Sequence, residues 1–187
     1  MLDADALNAE GRRFFVETKG AVYVQLTGTV FWLTLGVAGF FWSERTWCLI
    51  ALGTSVLATP IAILLVRKLV ARLALKSPLA TLILSAMLPV ALGLGVAIAA
   101  YTVNRSLVPL MLVIGFATHW PVVGWMYRTP IYTVHTIVRV VLAVTIWLQW
   151  PEARFTWVPI SASFVYGITS LWILRALRRL KSPQPTT

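Results

Sequence analysis

The strongest constraint on this chain is the placement of its carboxylates. The six acidic residues are Asp3, Asp5, Glu10, Glu17, Glu44 and Glu152. Six apolar runs contain none of them: residues 21–42, 47–66, 79–101, 107–127, 131–150 and 155–174. At ~1.5 Å per helical residue, each run is long enough to cross a hydrocarbon core of about 30 Å. The runs are continuous rather than alternating, which favours helices over barrel strands. With 59% hydrophobic and 12% charged residues and a mean hydropathy of +0.82, the chain is too apolar for one soluble core. The expected fold is therefore all-α: a polytopic integral membrane protein built as a bundle of six transmembrane helices.

The basic residues set an orientation. Arg12, Arg13, Lys19, Arg67, Lys68, Arg72, Lys76, Arg128, Arg175, Arg178, Arg179 and Lys181 all fall on one side of the six runs. Only Arg45, Arg105 and Arg154 fall on the other. The positive-inside rule then puts both termini in the cytoplasm. This distribution also accounts for the net charge of +10 without nucleic acid, which is excluded as a partner. Trp42, Trp47, Trp150 and Trp157 fall at the outer boundary, where an aromatic belt belongs.

Residues 1–20 read as a cytoplasmic segment, with Leu7, Phe14 and Phe15 as the apolar side of an interfacial helix. Arg12-Arg13-Phe14-Phe15 superficially matches a twin-arginine export signal. The run that follows is long enough to span and ends in no A-x-A site, so the first span is expected to be retained. Residues 67–76 form a basic amphipathic stretch whose Arg67, Lys68, Arg72 and Lys76 would meet anionic lipid head groups or a cytosolic partner. Residues 175–187 are a basic, Pro-rich tail, disordered over 182–187. Pro60 and Pro89 should kink the second and third spans. Ala91, Gly95 and Ala99 present a small-residue face that would seat another span or a second protomer in a homo-oligomer.

The candidate site lies where the fourth and fifth spans meet at Arg128-Thr129-Pro130. So short a turn makes these helices antiparallel neighbours. Arg139 lies nine residues, or ~13 Å, into the fifth span, and His119 lies eight residues, or ~12 Å, from the end of the fourth. Both reach similar depth near the midplane. Tyr132, His135 and Arg139 share one helical face. Pro121 should break a backbone hydrogen bond and free carbonyls near His119.

A midplane arginine costs at least ~2.5–3.5 kcal/mol on insertion scales. No span offers it an acid. Its partners must be neutral acceptors, water or an external anion. Candidate acceptors are the carbonyls near Pro121, the Tyr127 and Tyr132 hydroxyls, Gln25 and Thr29. Trp120 and Trp125 stand beside the site, where they could stack on a ligand or simply pack.

His119, Pro121, Gly124, Trp125, Tyr127 and the downstream Tyr132 resemble the H-x-P-x-x-G-W-x-Y…Y signature of a bacterial family of small six-span membrane proteins of unknown function. The resemblance extends to the overall plan, with a basic second cytoplasmic loop. It implies a six-span layout and a bacterial inner-membrane home, and it implies no activity.

Two functional readings follow. In the first, a small anionic solute binds or passes between the fourth and fifth spans. His119, Trp120, Tyr127, Tyr132, His135 and Arg139 line the pocket, with Arg139 as anchor and both histidines as neutral hydrogen-bond partners. In the second, the chain is a structural or accessory subunit, and Arg139 only pins two helices together. No paired aspartates, Ser–His dyad or His–Glu cluster is present, so no enzyme activity is expected. Two histidines and one cysteine, Cys48, provide neither a metal site nor a disulfide, and no cofactor is expected.

Overall fold

A computed structural model describes residues 4–57, 77, 79 and 82–181. Among them every regular element is helical. The chain runs through α1 (Ala4–Glu17), α2 (Val22–Ala38), α3 (residues 44–57), α4 (Leu82–Ala86) and α5 (Leu88–Val103). It continues through α6 (Val108–Gly115), α7 (Trp120–Met126), α8 (Ile131–Gln149) and α9 (Trp157–Lys181). Four stretches are long and apolar enough to cross a membrane: Lys19–Ala38, Arg105–Met126, Ile131–Gln149 and Trp157–Leu180. Leu88–Val103 is apolar but shorter. The end of the expected second span, Pro60, the basic 67–76 stretch with Arg67, Lys68, Arg72 and Lys76, and the 182–187 tail lie outside the described residues.

Local chemistry sets the element ends. Ser43 caps α3 by accepting from the Thr46 backbone N–H at 3.3 Å. The Asn104 side chain accepts from Ser106 N at 2.9 Å and starts the next helical stretch. The helix is interrupted by a turn at Met87, and α5 begins with Pro89 in its first turn, as a proline near a helix break should be placed. The end of α7 is a Schellman motif. Thr129 N donates to Gly124 O at 3.0 Å and Arg128 N to Trp125 O at 3.2 Å, with Arg128 at φ +53°. That motif makes the three-residue turn expected at 128–130.

In the bundle, α9 packs against both α2 and α8, α5 against α6, and α7 against α8. The expected fourth span is not one helix: residues 116–119 are turns between α6 and α7. The small-residue face expected to seat another span or a second protomer is not covered by another described helix of this chain. Ala91, Gly95 and Ala99 are exposed, and nothing described lies within 4 Å of a Cβ placed on Gly95. Close approach occurs one face away, where a Cβ on Gly93 would stand 2.4 Å from Gly115 Cα. Trp47 also departs from the expected belt. It is fully buried, donates from Nε1 to Leu35 O at 2.8 Å and packs on Phe155, because its indole N–H found a carbonyl at the end of α2. Trp42, Trp150 and Trp157 are exposed.

Candidate functional site around Arg139

The break between α6 and α7 creates the site. Pro121 has no N–H for Ala117 O, and Trp120 N turns to Ala117 O at 3.2 Å, so Phe116 O loses its helical donor. Both carbonyls recruit side chains from α8. Thr136 Oγ1 donates to Ala117 O at 3.1 Å, and Arg139 Nη1 donates to Phe116 O at 3.4 Å. The helix interruption and the buried cation thus satisfy each other.

Arg139 is completely buried and is the one charged side chain buried among the described residues. It does not snorkel. Nη1 also donates to the Tyr166 hydroxyl at 2.9 Å. The guanidinium carbon lies 4.8 Å from the centre of the Tyr166 ring and 5.0 Å from that of Trp32. Desolvated cation–π contacts contribute about 2 kcal/mol each and a charged hydrogen bond about 1.5–3 kcal/mol. Together these exceed the lower bound on the insertion cost given above, so neutral partners offset much of the penalty of burying the charge. They leave Nε and Nη2 without a hydrogen-bond partner among the described residues.

The surrounding aromatic cluster fixes the two imidazoles. Trp120 stacks on Tyr132 with centroids 5.4 Å apart, and its Nε1 donates to the Tyr166 hydroxyl at 3.3 Å. The His119 ring lies 4.3 Å from Trp120, and the His135 ring 4.7 Å from Tyr166. The Thr169 hydroxyl gives its proton to Val165 O at 2.8 Å. The 2.9 Å contact between His135 Nδ1 and Thr169 Oγ1 is therefore donated by the imidazole. His135 Nε2 is left as a bare, buried acceptor, and His119 Nδ1 also has no partner among the described residues.

The structure brings together most of the residues singled out from sequence. Tyr132, His135 and Arg139 are all buried on one face of α8, and His119 and Trp120 lie against them. Two tyrosines face other partners. Tyr127 and Thr18 bond through their hydroxyls at 2.8 Å, and the Tyr132 hydroxyl donates to Gly20 O. Neither reaches Arg139, because both lie toward the end of the bundle where α1 docks. Gln25 is buried with both amide atoms unpartnered among the described residues, and the Thr29 hydroxyl turns to Gln25 O. Trp125 is exposed and stacks on Arg128 instead.

Sequence reasoning missed Trp32 and Tyr166, the two rings that hold the cation. Tyr166 sits in a Ser163–Tyr166–Ser170 series at i, i+3, i+7, and all three are buried. That polar stripe in an otherwise apolar span was the available signal. The Tyr166 ring also packs closely on α2, where a Cβ on Gly28 would stand 2.6 Å from it.

A family model described as "Family of unknown function (DUF7010)" matches residues 10–176. The chain belongs to the DUF7010 family. The matched segment holds every residue of the Arg139 centre and runs from α1 through most of α9. No curated protein and no solved structure matches the chain significantly.

Proposed function

We propose that this DUF7010 protein binds a small anionic solute at Arg139, as a receptor or a passage through the bilayer. The carrying observation is the Nε–Nη2 edge of a completely buried guanidinium, which has no partner among the described residues. Its Nη1 end is committed to neutral acceptors and two aromatic rings stand near its carbon, so the edge is what remains for a ligand. His135 Nε2 adds an acceptor for a ligand proton or a bridging water.

In this proposal the protein is a six-span, bacterial inner-membrane protein with both termini cytoplasmic, and His119 to Tyr132 carry the family signature. The basic residues Arg67, Lys68, Arg72 and Lys76 meet anionic lipid. The protein acts by binding, not by covalent catalysis.

The test is Arg139→Leu. In the solute-binding reading, the variant expresses and folds, since replacing a buried ion by an apolar residue of similar volume is often neutral. It loses anion-induced stabilisation and flux in liposomes. Unchanged anion response would contradict the reading. The alternative, an accessory subunit, draws on the exposed Ala91–Gly95–Ala99 face. It predicts that Gly95→Leu, and not Arg139→Leu, releases a co-purifying protein.

A further inference from the structure

We infer that the Arg139 site selects a planar, singly charged oxyanion, such as a carboxylate, bicarbonate or nitrate, over tetrahedral or divalent anions. The inference rests on the anion-binding reading above and narrows it on two separate grounds, shape and charge.

Shape follows from which parts of the guanidinium are covered. The guanidinium carbon lies over the Trp32 and Tyr166 rings, 5.0 and 4.8 Å from their centres, so aromatic walls stand close to the group. Nη1 is committed to Phe116 O and the Tyr166 hydroxyl. The remaining edge, Nε with Nη2, carries two parallel N–H bonds in one plane. This fork matches two oxygens of one oxyanion. A planar anion engages it within the plane of the guanidinium. A tetrahedral anion that presents two oxygens to the fork directs its other two above and below that plane, toward the aromatic walls.

Charge follows from the burial pattern. Arg139 is the one buried cationic side chain among the described residues. His135 holds its Nδ1 proton on Thr169 and offers Nε2 as an acceptor. A monoanion neutralises the site. A divalent anion would carry an uncompensated charge into a low-dielectric interior, which is strongly unfavourable.

The purified full-length protein in nanodiscs is to be melted against sodium formate, acetate, nitrate, perchlorate, sulfate and phosphate at matched ionic strength. Arg139→Leu serves as the control for general salt effects. The expected result is a rise in midpoint with formate, acetate and nitrate that Arg139→Leu lacks. Perchlorate, tetrahedral but singly charged, and sulfate and phosphate should give no Arg139-dependent rise. Arg139→Lys keeps the charge and removes the fork, and should weaken formate binding by at least about tenfold. Trp32→Leu uncovers one face and should bring perchlorate to within about threefold of nitrate. The Trp32 variant keeps the test alive if the lysine variant does not fold.

An equal Arg139-dependent response to perchlorate would overturn selection by shape. An equal response to sulfate, which is both tetrahedral and divalent, would overturn selection by shape and by charge together. In both cases anion binding itself would stand. Absence of any Arg139-dependent response would overturn the inference and the underlying reading together.

Discussion

Arg139 and Arg154 are held by the same kinds of partner and reach different ends. Arg154 Nε donates to Trp147 O at 2.8 Å, its Nη1 donates to Ser106 Oγ at 3.3 Å, and it stacks on Trp147 at 4.1 Å. Arg139 likewise has a carbonyl, a hydroxyl and aromatic faces. Arg154 is only partly buried and sits beyond the end of α8, where water or head groups can complete its hydrogen bonds. Arg139 is sealed inside, and its Nε is left over. The lesson is that a partner set sufficient at a bundle end is incomplete in the interior. An unpaired buried donor costs about 1–3 kcal/mol, more when charged. A ligand that fills the fork recovers that cost, and no comparable gain is available at Arg154.

The comparison can be broken most severely at Tyr166. Tyr166→Phe keeps the ring over the cation but removes the oxygen that accepts from both Arg139 and Trp120. It should destabilise the protein by about 1.5–3 kcal/mol in chemical or thermal unfolding. A loss no larger than that of an exposed site would mean that the hydroxyl contributes little to holding the charge. Next comes Thr136→Val, which removes the donor to the carbonyl freed by Pro121. About 1 kcal/mol is expected, together with faster amide exchange over residues 116–119.

Arg154→Leu sharpens the contrast from the other side. It should cost about 0.5–1 kcal/mol, the scale of an exposed cation–π contact, and leave the anion response intact. The smallest effect belongs to Glu10 on α1. Burial raises its carboxyl, but hydrogen bonds with Ser77 and Arg13 and the Arg13 charge outweigh that and hold it below the ordinary 4.5. A depressed acid stabilises the fold above pH 4.5 and loses that contribution as pH falls through the lower folded value. Amide protection factors in α1, corrected for the intrinsic pH dependence of exchange, should therefore fall below pH 4.5 in the wild type and not in Glu10→Gln.

Much of this centre was legible from local spacing. The Pro121 break, the 128–130 turn and the shared face of Tyr132, His135 and Arg139 all depend on residues close in sequence, where helical periodicity applies. The cation's actual partners did not follow from such spacing. Trp32 and Tyr166 come from helices at opposite ends of the chain, and packing alone brings them to Arg139. The same limit explains Gly95, whose i, i+4 pattern marks a face without saying what covers it. It explains Trp47 as well, which hydropathy placed at an interface and a single carbonyl drew inward. Tyr127 and Tyr132 had the right residue type and the right span. Docking of α1 through Phe14 and Phe15 onto Tyr127, and the turn at Gly20, gave their hydroxyls other partners.

The central claim concerns one N–H bond. Arginine-selective 15N labelling in nanodiscs should resolve the Arg139 Nε–H resonance, assigned by its absence in Arg139→Leu. Titration with formate is predicted to move that resonance saturably, while Arg154 Nε–H stays in place. An Arg139 Nε–H that does not respond to any anion would contradict the account.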